Sequence, residues 1–443
     1  MSAFWPVWLP DPSILLALAV VGATSASLGC FAVLRRQSLL GDTLAHAALP
    51  GIGLAFWLTE AKSPLVLLLG AMATGLLGAA LLFALKHASR LKEDAALGLV
   101  LSTFFGVGIV ILTRLQNEPE ASQSGLDHFI YGQAAYLTWD HARLMLGLGM
   151  VVLVCLALTY KECKLLSFDP AFAASLGLPR RRLEALLAGL TVVGVMLSLR
   201  AVGVVLTVAL LIGPAAAARQ WTQRLSTMMG LAIAFGISSS WLGAIWSQTA
   251  DATPTGPAIV LVASVLLVVS ILVAPGRGLW WHYLRLRQHR RDVAAENVLA
   301  DFYRHGERQG DRTAPMPAAE LADQRGLRFP PLERTMRDLC RRGLAESAGD
   351  GWRLTEAGAD EAARVMRSHR LWELYLARRL DLPLDHVHRD AEEMEHALPS
   401  EIVAELDAHL GHPRVDPHGH PIPRLAAEPR PTEAKEGSTG HGS

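Results

Sequence analysis

The sequence predicts an all-α membrane bundle of about nine transmembrane helices, followed by a mostly α water-soluble part. Three observations carry this expectation. Residues up to 275 are almost entirely apolar runs, whereas those from 277 onward are rich in Arg, Glu, Asp and His. Many of the apolar runs reach the roughly 20 residues that a helix needs to cross a bilayer core. Lys and Arg collect in alternate loops between the runs, as they do when one face of a membrane retains positive charge. The averages over all 443 residues, 51% apolar and 19% charged with 41 basic against 41 acidic side chains, blend two unlike halves.

Candidate spans are 13–34, 43–59, 64–86, 95–114, 142–160, 183–199, 201–218, 225–246 and 256–274. Several are rich in Gly, Ala and Ser, which lets membrane helices approach closely. The stretch MSAFWPVWLPDP lacks a basic segment ahead of its apolar run, so residues from Ile14 read as a retained span rather than a cleaved leader. Arg200 divides the sixth span from the seventh, and a re-entrant or broken helix is open there. With the N-terminus outside, the inside loops hold Arg35, Arg36, Lys86, Arg90, Lys92, Lys161, Lys164, Arg180, Arg181, Arg182, Arg219 and Arg224, then the run from Arg277 to Arg291. An odd number of spans then places the soluble part in the cytoplasm. The four cysteines form no CxxC, and neither a disulfide framework nor a cysteine metal site is expected.

Two short stretches carry chemistry. In RRQSLLGDTLAHAALPG, Asp42 and His46 stand four apart and share one helix face at the start of an apolar segment. The pair reads either as a helix cap and an interfacial histidine, or as ligands for a divalent first-row metal, since ionisable groups in a bilayer usually line an ion path. In KECKLLSFDPAFAASLGLPRRR, Asp169 and Pro170 start a short helix that Gly177 and Pro179 end. By spacing alone that helix is a connector.

Gly41, Asp42, Leu44, His46, Ala47, Leu49, Pro50 and Gly51 together resemble the signature of permease subunits of metal-ion ABC importers. Thr43 and Ala45 replace the Ala and Ser common there. The resemblance runs over nearly all of 13–275 and includes 203–218. It implies a zinc, manganese or iron cargo that Asp42 and His46 contact in transit. It also implies a permease dimer and an extracellular metal-binding protein. Phe168, Asp169, Pro170, Leu176 and Gly177 then fall in the segment that docks on the ATPase. No GxxxxGK[ST] occurs, so this chain binds no nucleotide through a P-loop and the ATPase is a separate polypeptide. GxSxG and HExxH are also absent, which disfavours a membrane hydrolase.

Beyond Pro275 and Gly276, residues 277–293 read as a basic juxtamembrane linker. Its aromatic and arginine residues suit a membrane exit better than a nucleic-acid patch. From 294 to 360, a helix, a helix pair (MPAAELADQRG and PPLERTMRDLCRRG) and two short strands around Gly349-Asp350-Gly351 suggest a winged helix. Arg334, Arg337, Arg341 and Arg342 on its second paired helix face either a nucleic-acid phosphate or solvent. In 361–423, His369 and Glu373 stand at i,i+4, and Glu392, Glu395 and His396 share a face one turn after His388. These are either surface ion pairs or the two halves of a divalent-metal site.

His-Arg-Leu-Trp-Glu, Asp-Ala-Glu-x-x-Glu-His and Asp-Pro-His-Gly-x-Pro-Ile-Pro, in this order over about 296–423, resemble the diphtheria-toxin-repressor and manganese-repressor family of metal-sensing winged-helix dimers. The resemblance implies that His369, Glu392, Glu395 and His396 are the main metal ligands, and that His369, Glu373 and His388 form a second site. It puts Asn297 and Ala300 where the family has ligands on its first helix. Residues 361–423 thus read as a metal-binding and dimerisation domain, and 424–443 as a disordered tail. The expected protein is an inner-membrane permease (1–276) for a divalent transition metal, fused to a cytoplasmic metal-responsive unit and not itself an enzyme. A membrane-tethered, metal-dependent DNA-binding regulator is the alternative.

Overall fold

The computed structural model describes residues 9–59, 64–116, 138–250, 253–325, 329–379 and 400–424. It divides into two compact units, Met1–His282 and Tyr283–Ser443.

The first unit is helical throughout. Asp11 and Pro12 open α1 (Pro12–Leu34), with proline in the first turn where its missing N–H costs nothing. Every residue from Val21 to Ala32 is buried, so α1 is enclosed on all faces. Around it and after it come α2 (Leu40–Ala47), α3 (Leu49–Thr59), α4 (Pro64–Ala88), α5 (Glu93–Gln116), α6 (Trp139–Leu158), α7 (Tyr160–Phe168), α8 (Pro170–Ser175), α9 (Arg180–Val202), α10 (Val204–Trp221), α11 (Leu225–Thr249) and α12 (Thr255–Val273). α1 packs on α6, α9, α10 and α11. Gly22 and Gly236 meet where α1 crosses α11: a Cβ on Gly22 would lie 2.5 Å from the Gly236 carbonyl oxygen. Small residues here permit backbone contact that any larger side chain would prevent.

Among the described residues, seven helices are long and apolar enough to cross a membrane. The expected span 43–59 is instead two short helices, α2 and α3, of 8 and 11 residues. Pro50 is the physical reason: it has no N–H for the carbonyl of His46, four residues back, so the helix cannot run through. The break expected at Arg200 lies at Gly203. Its φ of 94° both ends α9 and starts α10, a backbone state that glycine alone adopts cheaply.

In the second unit, α13 (Leu279–Gln309) is one 31-residue helix. The separate linker expected at 277–293 is thus the first half of a helix, because nothing in LRLRQHRRDVAAE breaks helical continuity. Then follow β1 (Met316–Pro317), α14 (Ala318–Arg325), α15 (Phe329–Arg341), β2 (Ala345–Ala348), β3 (Gly351–Leu354), α16 (Glu356–Arg379) and α17 (Ser400–His409). The sheet has the antiparallel order β1-β3-β2, with Met316 opposite Trp352. Met316 and Pro317 were expected to be helical; pairing with β3 claims their backbone first. The β2–β3 turn forms at Gly349-Asp350 as anticipated, with Gly349 at φ 60°. Val298, Leu299, Phe302, Leu321, Met336, Leu339 and Leu354 build the core under this sheet. Burying Phe302 alone is worth roughly 1.5–3 kcal/mol.

Candidate functional site

α2 is the centre of the first unit's chemistry. This short helix packs on α4, α5, α9 and α10. Gly41 lets it approach Leu211 of α10, whose Cδ2 would lie 2.4 Å from an added Cβ. The Thr43 hydroxyl donates to the Leu39 carbonyl at 2.9 Å and reaches the Leu97 carbonyl of α5 at 3.4 Å. The far side presents Asp42 and His46, whose Oδ1 and Nε2 are 3.3 Å apart. The Phe105 ring meets the imidazole edge-on at 4.9 Å and fixes its plane. His46 Nδ1 is buried and has no hydrogen-bond partner among the described residues. When Nε2 carries the proton toward Asp42, Nδ1 presents a lone pair, which is what a cation needs.

A second polar cluster joins the ends of α1, α4, α5 and α9, where sequence reading saw only loop charges. Glu184, 7% exposed, faces Arg180 at 3.0 Å, Arg35 at 3.5 Å and His87 at 3.9 Å. Lys86 reaches Glu93 at 3.0 Å, and Gln37 donates to the same oxygen. A lone glutamate after three arginines in RRRLEALL was the available signal.

The expected docking segment folds as read. Asp169 caps α8, accepting the Phe172 N–H at 2.9 Å, Pro170 occupies the first turn, and Gly177 at φ 75° ends it. Phe168, Phe172 and Leu176 are each more than half exposed. Three large apolar side chains on so short a stretch form a surface suited to a partner.

In the second unit, His369 Nε2 and Glu373 Oε1 are 3.2 Å apart and both side chains are buried. Ala300 is buried too, and contributes no ligand atom. His388, Glu392, Glu395 and His396 lie outside the described residues, and no group of three potential metal-binding side chains occurs among the described ones. Beside His369, Arg370 grips Glu307 with two hydrogen bonds of 3.1 and 2.7 Å, approaches Asp416 at 3.6 Å, and donates to the Pro421 carbonyl. This guanidinium lies 5.5 Å from the centre of the Tyr303 ring, and burial pushes the Tyr303 phenol above its ordinary value. The role of Arg370 was missed because its partners are 63 and 46 residues away in the chain. Arg334, Arg337 and Arg341 line one cleft with α13. Arg342 instead binds Asp292 at 2.9 Å and Asp338 at 2.7 Å; the hydrogen bond it donates to Asp292 is the main cause of its raised pKa.

A bundle of apolar helices that carries a half-buried carboxylate and imidazole on one short helix, with a capped apolar helix exposed, defines a polytopic membrane transport subunit. The chain belongs to the ABC 3 transport family, whose profile matches residues 12–274. Residues 355–424 match the iron dependent repressor, metal binding and dimerisation domain. A manganese transport system membrane protein of Bacillus subtilis is 39% identical over 370 residues, 83% of this chain and 84% of that one. A probable metal transport system membrane protein of Chlamydia trachomatis is 31% identical over 438 residues, covering 93% and 96%. Among solved structures, PsaBC from Streptococcus pneumoniae in complex with Fab matches with a TM-score of 0.54 and 30% identity, covering 62% of this chain and 94% of that one.

Proposed function

We propose that this chain is the permease subunit of an ABC importer for a divalent transition-metal ion, manganese, zinc or iron, with a metal-responsive regulatory unit fused to it. The observation that carries the reading is the half-buried Asp42–His46 pair, on a helix that packs against four others, with His46 Nδ1 buried and without a hydrogen-bond partner among the described residues. The cargo ion takes Asp42 as its charge-compensating ligand and His46 as its directional one, a donor set that suits all three metals. A carboxylate and an imidazole replace part of the hydration shell that the ion sheds on entering the bundle.

The same reading assigns nine spans to the permease, counting α2 with α3 as one and α10 as another. The N-terminus is outside and the second unit in the cytoplasm, following the basic loops. A separate ATPase docks on Phe168, Asp169, Pro170, Leu176 and Gly177, a second permease copy completes the pathway, and an external metal-binding protein delivers the ion. Residues 294–360 are a winged helix: a helix pair followed by a hairpin whose strand β3 is flanked by β1 and β2. Metal binding by 361–423 rests on His369 and Glu373, already in contact, with His388, Glu392, Glu395 and His396 as the proposed further ligands. A bound ion there would supply charge that ties α16 to the segment after it.

Uptake of radiolabelled manganese, zinc and iron(II) by cells with and without this chain tests the reading. One of the three metals should accumulate several-fold faster when the chain is present with its ATPase. Equal uptake of all three with and without it would sink the proposal.

A further inference from the structure

α13 begins with an apolar belt. Leu279, Trp280, Trp281, Tyr283, Leu284 and Leu286 are all exposed on its first turns. Exposed tryptophan and tyrosine at that density belong at a membrane–water interface. Arg287, Arg290 and Arg291 follow on the same helix. They face Arg334, Arg337 and Arg341 of α15 across a cleft of about 440 Å³. Arg337 is paired with Glu333 at 3.2 Å. None of the other five makes an ion pair among the described residues. Among the described residues, Asp338 is the one carboxylate lining the cleft, and Arg342 already holds it at 2.7 Å.

Guanidinium groups gathered without counter-charge repel one another, and an anion in the cleft removes that penalty. Their planar forks match phosphate oxygens in pairs. Arg287 lies one helical turn, about 6 Å, beyond Tyr283, which is headgroup depth next to an aromatic belt. Tyr283 and Leu286 also form part of the cleft wall, giving glycerol and acyl carbons an apolar surface beside the arginines. A nucleic-acid backbone would leave that apolar wall uncovered.

We propose that the cleft between α13 and α15 is a binding site for the phosphate of an anionic phospholipid headgroup. The site engages α15 with the bilayer and competes with any use of those arginines on DNA. It is independent of the cargo and of the metal-responsive residues.

The test uses the full chain in neutral detergent, titrated with fluorescent phosphatidylglycerol. Inorganic phosphate, phosphatidylcholine and a 20-base-pair duplex serve as competitors. Two triple variants are compared, R287Q/R290Q/R291Q and R334Q/R337Q/R341Q. All six side chains are exposed, so folding should persist; unchanged melting curves check this. Each triple should weaken phosphatidylglycerol binding on the order of a hundredfold, from roughly fivefold per basic residue. Raising salt should weaken it as well. The proposal is overturned if the α15 triple binds lipid like the parent, since basic residues next to a membrane segment would then suffice. It is equally overturned if phosphatidylcholine or inorganic phosphate displaces phosphatidylglycerol at equal concentration. Duplex binding that both triples abolish, without measurable lipid binding by the parent, would make this a nucleic-acid site instead.

Discussion

His46 Nε2 lies 3.3 Å from Asp42 Oδ1, while the other nitrogen of the same ring is buried without a partner. A buried unsatisfied polar atom costs about 1–3 kcal/mol, so the arrangement is uneconomical for a resting protein and suitable for one that receives a cation. Asp42→Asn keeps the shape and removes the charge. Metal uptake should fall at least about tenfold, with the yield of assembled protein unchanged. His46→Ala should abolish uptake and leave melting equal or higher, because the orphaned nitrogen goes with the ring. Parental uptake in both variants would exclude this pair from the path.

Gly51 and Gly70 bring α3 and α4 into backbone contact: a Cβ on Gly51 would sit 2.0 Å from the Gly70 carbonyl oxygen. Gly51→Val should destabilise the bundle by at least about 1–3 kcal/mol and reduce folded protein recovered from membranes. Gly98→Ala is the matched control, because no atom lies within 4 Å of its added Cβ. Equal recovery of both variants would contradict the close crossing.

Phe172 is 51% exposed on a helix whose cap, Asp169, uses the Phe172 backbone and not its ring. Phe172→Asp should therefore keep α8 folded and lose the ATPase. Co-purification of the ATPase subunit should drop several-fold while the permease remains in the membrane. Undiminished co-purification would move the docking surface elsewhere.

His369 and Glu373 touch inside the second unit, with Trp372 between them in sequence and stacked on Tyr375 at 5.2 Å. Metal added to the purified full chain should slow amide exchange in α16. Because proton and metal compete for imidazole, the protection should weaken on acidification. A His369→Ala variant that keeps the protection would remove this residue from the sensing role.

Asp311 gives a pH-dependent prediction. Its carboxylate accepts the Thr313 N–H at 2.9 Å and the Thr313 hydroxyl at 3.0 Å, and these hold its pKa below the ordinary value. A depressed folded-state pKa stabilises the protein above the unfolded-state value, and that contribution fades as pH falls through the folded one. Asp311→Ala should lower the melting temperature of the second unit at pH 7, and the difference should close below about pH 4. A constant difference down to pH 3 would assign the effect to something other than this carboxylate.

Much of the architecture was legible because the bilayer constrains length and composition so tightly. The positions of α1, α4, α5, α6, α9, α11 and α12 followed from apolar runs, and the ends of α8 from Asp169, Pro170 and Gly177. Within 43–59, apolar length hides a helix that breaks between Ala47 and Leu49. Pro50 was in plain view, but proline is tolerated in membrane helices often enough that it did not decide the matter. Gly203 was overlooked for Arg200 because a charge is conspicuous in an apolar run, whereas a positive φ is invisible without coordinates.

By itself, the sequence determined the apolar and the charged halves, the Asp42–His46 spacing, the capped helix after Phe168 and the hairpin at Gly349-Asp350. Each depends on residues near one another in the chain, where helix periodicity, capping and turn chemistry act. Tertiary structure decided what those residues face. It alone buries His46 Nδ1, gathers Arg35, His87 and Arg180 on Glu184, locks Arg370 to Glu307, and sets the arginines of α13 opposite those of α15. Such contacts arise when elements distant in sequence pack and exclude water, and that long-range geometry leaves no periodic trace in the chain.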